Sequence, residues 1–287
     1  MLPALQADIV TLKPSADTTL FQPNPDANLG GADSLVAGST AEGLKTRAVL
    51  KFDLAGSVPA GATITSASLT IQVVKQSGSP SDSTFDLRRL LVDWGEGAQT
   101  EKTGTAASPG EATWNARMAP STLWKVPGGA EGSDFSQVKS GSRPISGPAS
   151  YTFTSTAASI SDAQLWLDQP SANFGWILLT EAEGLGGTAR RIGSREDPPN
   201  APVLTIEYAV GATASRIDAI KVSKQTGSIS WTPRSGFGPP FQLQTKAQLT
   251  DTNWTNLGVP LTGTNTTFPA EASAGFFRVQ GTESPLR

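Results

Sequence analysis

The sequence of 287 residues contains no histidine and no cysteine. Histidine is the side chain that titrates near neutral pH and the commonest metal ligand, and cysteine supplies thiolate nucleophiles, zinc ligands and disulfides. Their absence excludes Ser-His-Asp triads, Cys-His dyads, the usual zinc sites and disulfide scaffolds. Any chemistry must therefore use carboxylates, Lys, Arg, Tyr, Ser or a hard cation such as calcium, and the composition favours binding over catalysis.

Charge and long apolar runs are also scarce. Charged residues make up 16% of the chain, against about 25% in typical globular domains. The formal net charge is −3 and the isoelectric point is near 5.1, so no basic field would attract nucleic acid or an anionic membrane. No apolar stretch approaches the roughly 20 residues that span a bilayer. We expect neither a nucleic-acid partner nor a membrane span.

Alternation of apolar and polar residues predicts an all-β fold. Every second residue from Ala48 to Leu54 is apolar, and residues 64–74 repeat the pattern. Further segments of this kind follow up to Tyr208, separated by turns rich in Gly, Pro and Ser. We predict a jelly-roll-like antiparallel β-sandwich over residues 8–210.

The sequence pattern changes after Tyr208. Residues 211–215 are typical of a linker, and short strand-like segments separated by Gly, Pro and Asn turns follow up to Val279. We predict a smaller β-sandwich-like module, of fibronectin or immunoglobulin type, over residues 216–287.

Several short motifs occur together in an order that resembles a known family. They are DTTL at 17–20, GGADSLVAG at 30–38, RAVLKFDL at 47–54, PAGATI at 59–64, DWGEG at 93–97, ATWN at 112–115, SRE at 194–196 and PVLTIEY at 202–208. Together they resemble the DNRLRE-type β-sandwich domains of secreted bacterial and archaeal proteins. Those domains are similar to a carbohydrate-binding module family and to disaggregatase-related repeats. The resemblance covers about residues 8–208 and implies an extracellular β-sandwich that binds a glycan.

The two ends of the chain are also informative. Small residues ending at Ala7 resemble the end of a secretory signal whose charged and apolar parts are missing. The alternative is an ordinary N-terminal tail. The C-terminal region resembles small β modules that close many secreted proteins of environmental bacteria. We expect a secreted or cell-surface protein from which a signal peptide has been removed.

Three tryptophans are candidate ligand-binding residues, because an exposed indole offers a flat apolar face on which a sugar ring can stack. Trp94 and Trp114 lie in the family-like motifs, where a buried anchor with its N–H bonded to backbone is the favoured alternative. Trp124 lies in a Gly-rich part of the long segment 96–149 and is the better candidate for an exposed platform. Within that segment we expect a strand near residues 112–115.

Three arginines, Arg190, Arg191 and Arg195, are further candidate ligand-binding residues. Guanidinium groups grip carboxylates through two hydrogen bonds, so these side chains could hold an acidic polysaccharide. The alternative is an internal ion pair, for example between Arg195 and Glu96, that fastens the last loop to the sandwich.

Four residues near the start of the chain, Asp17, Asp26, Asn28 and Asp33, are candidate ligands for a structural calcium ion. Oxygen ligands at short, irregular spacing suit calcium. Against this, the spacing matches no EF-hand, and Asp and Asn are frequent in turns for backbone reasons.

The sequence therefore predicts a secreted, non-catalytic protein that binds an extracellular polysaccharide, an acidic one if the arginines face it. The first alternative is a structural or adhesive surface or matrix protein that associates with itself or with other surface proteins through its β domains. The second is a polysaccharide hydrolase or lyase based on carboxylates, for which the candidates are Asp93, Glu96, Glu111, Glu181 and Glu183.

Overall fold

A computed structural model describes residues 7–209, 214–222, 226–233, 237–248, 253–269 and 275–283. The chain divides after Ala209 into two compact units. Both are built from antiparallel strands, which confirms the predicted all-β fold. Residues 211–213 of the predicted linker and residues 1–6 of the N-terminal tail lie outside the described residues. Ala214 and Ser215, which were expected in the linker, already belong to a strand of the second unit.

The first unit consists of short strands with a single α-helix between them. In chain order the strands are β1 (Ala7–Leu12), β2 (Ala16–Phe21), β3 (Ala27–Asn28), β4 (Ser34–Ser39), β5 (Lys45–Lys51), β6 (Thr63–Gln76), β7 (Ser83–Leu90), β8 (Thr105–Ala106), β9 (Ala116–Met118), β10 (Thr122–Leu123), β11 (Phe135–Ile145), β12 (Ser150–Phe153), β13 (Trp176–Thr180), β14 (Arg190–Gly193) and β15 (Val203–Ala209). Helix α1 is Ala157–Asp168, and a 3-10 turn, Pro170–Ala172, follows it.

Eleven of these strands form one curled sheet. Their order is β1-β15-β6-β14-β4-β5-β13-β7-β11, with β12 added beside β6 and β2 beside β5. Strand β6 is long enough to pair with β15, β12 and β14 along its length. Its alternating residues Leu69, Ile71 and Val73 are buried, as the sequence pattern predicts.

The interior of the sandwich is closed by aromatic side chains and by helix α1. The rings of Trp166 and Trp176 meet edge to face at 4.7 Å between centroids. Thr156 caps the N-terminus of the helix, since its hydroxyl accepts a hydrogen bond from the backbone N–H of Ser159. Asp162 on the helix accepts a bond from the Trp176 indole at 2.8 Å and pairs with Arg89 of β7 at 2.9 Å.

A second core lies on the opposite face of the same sheet. Val49 of β5 and Ile177 of β13 have no exposed surface, although they alternate with residues of the sandwich interior. The segment 91–134 covers them and contributes only the short strands β8, β9 and β10. The strand expected near residues 112–115 begins at Ala116 instead, after a bend at Trp114 and Asn115.

The second unit contains six strands in its described residues. They are β16 (Ala214–Val222), β17 (Thr226–Thr232), β18 (Phe237–Lys246), β19 (Thr255–Asn256), β20 (Asn265–Pro269) and β21 (Phe276–Glu283), in the sheet order β19-β18-β21-β16-β17-β20. The first residues of β16 pair with β21, and the following residues pair with β17. The strands on both sides of β16 contribute to one hydrophobic core, which includes Trp231 of β17, Phe241 of β18 and Val279 of β21. Across all the described ranges, no helix combines the length and apolar character needed to cross a membrane.

Candidate functional site

The three candidate tryptophans lie in the second core and not on the surface. Trp94, Trp114 and Trp124 expose only 6%, 5% and 4% of their area. The indole N–H of Trp94 donates to the Phe174 carbonyl, and that of Trp124 donates to the Thr113 carbonyl, both at 2.9 Å. The predicted exposed platforms are therefore wrong. The Gly-rich segment folds onto the sheet, and its indoles form the apolar side of that contact.

A buried arginine fastens this segment. The Nε and Nη2 atoms of Arg47 donate to the Glu183 carboxylate at 2.6 and 2.8 Å. Its Nη1 donates to the carbonyl oxygens of Gly128 and Gly129 at 2.8 and 2.9 Å, and the guanidinium lies 5.6 Å from the Trp114 ring centroid. Gly128 has φ +86°, and a Cβ there would lie 2.5 Å from the Trp114 ring. This position therefore requires glycine.

Arg190 is also internal. It has no exposed surface, and burial lowers the pKa of its guanidinium. Its donors bond six oxygen atoms, those of the Ser81, Ser146, Gly187, Thr188 and Ala189 carbonyls and one of the Asp82 carboxylate. The prediction that Arg190 contacts a ligand is wrong, because these loops enclose it completely.

The four predicted calcium ligands do not come together. Each has a protein partner of its own: Asp17 accepts from the Arg195 N–H, Asp26 from the Asn115 amide and Asp33 from Lys102, while Asn28 donates to the Glu96 and Ala112 carbonyls. In the part of the chain that the structure describes, no group of three or more His, Cys, Asp or Glu could hold a metal ion. These residues do not fit a calcium site, and their turn and loop contacts account for them.

Motifs that are far apart in the sequence meet around Arg195. The Asp17 carboxylate accepts from the Arg195 backbone N–H at 2.8 Å, and the Asp17 N–H donates to Glu96 at 2.7 Å. The Arg195 guanidinium bonds the Glu96 carboxylate through Nε at 3.1 Å and Nη2 at 3.0 Å, and it pairs with Glu196 at 3.0 Å. The ion pair between Arg195 and Glu96 is the alternative that the sequence left open.

The carboxyl group of Asp17 lies beneath this ion-pair cluster. Burial, with a smaller contribution from the nearby Glu196 and Glu96 carboxylates, raises the pKa of Asp17 to about 7. Burial also raises the pKa of Glu96. The Oδ1 atom of Asp17 has no hydrogen-bond partner among the described residues, because the Arg195 guanidinium bonds the two glutamates instead.

A second group of charged side chains adjoins this cluster, since the Ser194 N–H, next to Arg195 in the chain, donates to the Asp33 carbonyl at 3.3 Å. Lys102 pairs with Asp33 at 2.9 Å, and the positive charge of Arg191 also acts on Asp33. Arg191 donates to the Ser34 hydroxyl at 3.3 Å, and no Asp or Glu of the described residues pairs with it. We call this group the Arg195 surface, which consists of Asp33, Glu96, Lys102, Arg191, Arg195 and Glu196.

The other candidate carboxylates hold the fold together. Glu111 accepts bonds from the backbone N–H groups of Ala98 and Ser108. Glu181 pairs with Lys139, Glu183 with Arg47 and Lys45, and Asp93 lies 4.0 Å from Lys51. Each of these carboxylates therefore has a partner within the described residues.

Sequence reasoning missed two sets of residues. Lys102 belongs to the Arg195 surface, and nothing in its local sequence indicates this, because it lies in a segment with little regular structure. In the second unit, Trp254 and Arg278 share an outward face of the sheet. The alternation in residues 242–246 (QLQTK) and 276–280 (FFRVQ) could have revealed that face.

Comparison with known proteins gives one family. Residues 8–121 match the sequence model of carbohydrate-binding module family 96. No curated protein gives a significant match. The matched part supplies Asp33, Glu96 and Lys102 to the Arg195 surface. The resemblance to DNRLRE-type domains and that of the second unit stay predictions, whereas residues 8–121 of the first unit are similar to carbohydrate-binding module family 96.

Proposed function

We propose that this is a secreted protein that binds an extracellular polysaccharide through the Arg195 surface and does not cleave it. The observation that carries the proposal is the match of residues 8–121 to a carbohydrate-binding module family. The matched residues contribute about half of the Arg195 surface, and Arg191, Arg195 and Glu196 complete it. The resemblance to secreted β-sandwich domains supports the extracellular location.

The Arg195 surface offers hydrogen-bond partners that suit sugar hydroxyls. The Arg195 side chain is 40% exposed and Glu96 is 20% exposed, so donors and acceptors lie side by side within reach of solvent. A guanidinium supplies up to five N–H donors and a carboxylate supplies about four acceptor positions. Neighbouring hydroxyls of one sugar, each both donor and acceptor, can bond such a pair without a stacking aromatic ring.

Arg191 gives this surface a preference for acidic polysaccharides. The other exposed cations, Arg195 and Lys102, already face carboxylates of the protein. Arg191 bonds only a serine hydroxyl among the described residues, so its remaining donors suit a ligand carboxylate.

The positions of Asp17 and Glu96 suit binding better than hydrolysis. A raised pKa is what a general acid needs, but Asp17 is only 1% exposed and cannot reach a polymer. The Glu96 carboxylate is held by the Arg195 guanidinium and by the Asp17 N–H. Neither group is placed to protonate a glycosidic oxygen.

Affinity electrophoresis of the full chain tests this proposal. Migration is expected to slow in gels that contain polygalacturonate and to slow less in gels that contain neutral dextran. Arg191→Gln should weaken this retention, because it removes a charge-assisted contact. Arg143→Gln removes one charge at an exposed position of β11 and is the matched control, which should bind as the unaltered protein does.

Three results would overturn the proposal. The first is no retention by any polysaccharide tested. The second is equal retention of the Arg191 and Arg143 variants. The third is release of reducing ends or unsaturated sugars, which would show cleavage. Filaments in the electron microscope without glycan binding would instead support the self-assembling surface protein.

A further inference from the structure

One outward sheet face in the second unit combines cationic, amide and aromatic side chains. On β18 and β21, Gln244 lies opposite Arg278 and Lys246 lies opposite Phe276, so the side chains of each pair share a face. Asn256 of β19 lies opposite Gln244. Trp254 completes this group, which we call the Trp254 surface. The alternate positions, such as Leu243 and Val279, are buried in the core of the unit.

The guanidinium of Arg278 is held in place on the Trp254 surface. Its Cζ lies 4.6 Å from the Trp254 ring centroid, and its Nε donates to the Gln244 side-chain oxygen at 2.7 Å. The Gln244 amide in turn donates to Asn256 at 2.7 Å. These contacts fix Nε and one face of the group, and no bond from Nη1 or Nη2 to another described residue is present, so these two donors remain for a ligand.

Arg278 also carries a charge that the described protein does not neutralise. Burial is the cause that lowers the pKa of Arg278, and no Asp or Glu among the described residues pairs with it. The strand segments around it, 242–246 and 276–280, contain no acidic residue. The Nζ of Lys246 lies 4.8 Å from the same indole centroid, which adds positive charge to this face.

We propose that the Trp254 surface is a second glycan-binding site, at which the two Nη donors of Arg278 bind the carboxylate of an acidic polysaccharide. The planar guanidinium matches a carboxylate through two parallel hydrogen bonds. The indole and Gln244 hold it in the orientation that this requires. The site lies outside residues 8–121 and does not depend on the proposed function of the first unit.

The neighbouring side chains favour a sugar polymer as the source of the carboxylate. Gln242 lies opposite Gln280, so amides extend along the face from Arg278 and can bond hydroxyl groups. Phe276 is 39% exposed and offers an apolar patch to the carbon face of a sugar ring. A flat strand surface of this kind admits an extended chain, which a closed pocket would exclude.

The indole N–H signal of Trp254 gives a direct readout in the full chain. In a two-dimensional ¹⁵N–¹H NMR spectrum this signal is assigned by its loss in Trp254→Phe. It should shift in a saturable way on titration with oligogalacturonate and remain unchanged with the methyl-esterified, uncharged form. The signal of Trp231, which is 2% exposed in the core of the same unit, is the internal control for folding.

Substitutions identify the group that binds. Arg278→Gln should weaken binding at this site about tenfold or more, and Arg278→Lys should weaken it less, because charge is kept but the planar fork is lost. Arg143→Gln and Arg191→Gln should leave the Trp254 shift unchanged. An intact Trp231 signal shows that each variant is folded.

The proposal fails if the Trp254 signal does not move with oligogalacturonate, if it moves equally with the uncharged ester, or if Arg278→Gln leaves the shift intact. The two sites can fail separately. Reduced gel retention in Arg191→Gln, a further reduction when Arg278→Gln is added, and a Trp254 shift that persists in Arg191→Gln support both sites. A Trp254 shift in a protein whose retention is insensitive to Arg191 supports the second site alone.

Discussion

The two units place some of their arginine and tryptophan side chains differently, inside the first unit and on an outward face of the second. In the first unit, Arg47 and Arg190 are buried and surrounded by oxygen atoms of the protein, and the tryptophans of the long segment are covered. In the second unit, Arg278 and Trp254 lie together on an outward face. Arg47 and Arg190 therefore stabilise the fold of the first unit from within, whereas Arg278 lies on an outward face of the second.

This difference shows what replaces metal ions and disulfides in a chain without histidine or cysteine. The guanidinium of Arg190 bonds carbonyl oxygens from three separate loops, as a bound cation would. Arg47 does the same for the glycine-rich loop at Gly128 and Gly129. A guanidinium with a carboxylate on one side and carbonyls on the other fixes long loops to a sheet.

The largest expected effect on stability comes from the buried guanidinium groups. Arg190→Met should lower the free energy of unfolding by about 3–5 kcal/mol, because five carbonyls lose a buried donor. Urea denaturation followed by tryptophan fluorescence measures this change. Arg143→Met, at an exposed strand position, is the control and should change stability by less than about 0.5 kcal/mol. Equal stabilities of the two variants would contradict the internal role of Arg190.

The second effect depends on pH and comes from Asp17. In the folded protein Asp17 keeps its proton up to pH about 7, whereas the ordinary pKa of Asp is 3.8. The folded state therefore binds more protons between these values, and stability should fall as pH rises from 4 to 7 and then level off. Asp17→Asn should remove this fall, which amounts to at most about 4 kcal/mol.

Denaturation at pH 4.5, 6 and 8 tests the Asp17 prediction. The matched control is Asp53→Asn, because Asp53 is exposed and an asparagine there can still accept the bond from the Ala55 N–H. The control should keep the pH dependence of the unaltered protein. Parallel pH profiles for Asp17→Asn and the unaltered protein would show that Asp17 is ionised in the fold.

Much of the fold could be predicted from local pattern, because alternation reports which face of a strand is buried. The alternation at residues 46–54 and 64–74 corresponds to β5 and β6. What it could not report is burial of the opposite face. The alternation from Ala48 to Leu54 places Val49 on the opposite face of β5, where a polar residue would be expected to face outward, yet Val49 is fully buried because the segment 91–134 folds over it. Coverage by a distant loop is a tertiary property that period-two patterns do not contain.

The same reason explains the errors in the site. Glycine around Trp124 indicated a loop, and a loop suggested exposure, but this loop packs its indoles against β5 and β13. Arg190 was expected to bind a ligand because the sequence shows its charge but not the loops that enclose it. The pairing of Arg195 with Glu96 was one of the alternatives that the sequence left open. Trp254 and Arg278 lie in segments by which the second unit resembles small β modules, but the sequence does not show that their side chains meet.

An intermediate effect on stability is expected for Arg195, because its exposure lies between that of the buried Arg190 and that of the exposed control Arg143. Its guanidinium is 40% exposed but bonds two glutamates. Arg195→Gln should lower the free energy of unfolding by about 1 kcal/mol or less, since solvent screens ion pairs at this exposure. Stability measured in low salt and in 1 M salt checks the cause, because the difference between variant and unaltered protein should shrink in high salt. If the stability difference is as large in 1 M salt as in low salt, Arg195 stabilises the fold as the buried Arg190 does.

The smallest effect on stability is expected for Arg278, although its effect on binding is expected to be large. The guanidinium gains a cation–π contact with Trp254, worth about 0.5–1 kcal/mol at exposed sites. It also loses hydration without a compensating carboxylate, which is why its pKa is lowered. The two contributions oppose each other, so Arg278→Gln should change the free energy of unfolding by no more than about 0.5 kcal/mol. A loss as large as that of Arg190→Met would mean that Arg278 serves the fold, and the contrast between the two units would disappear.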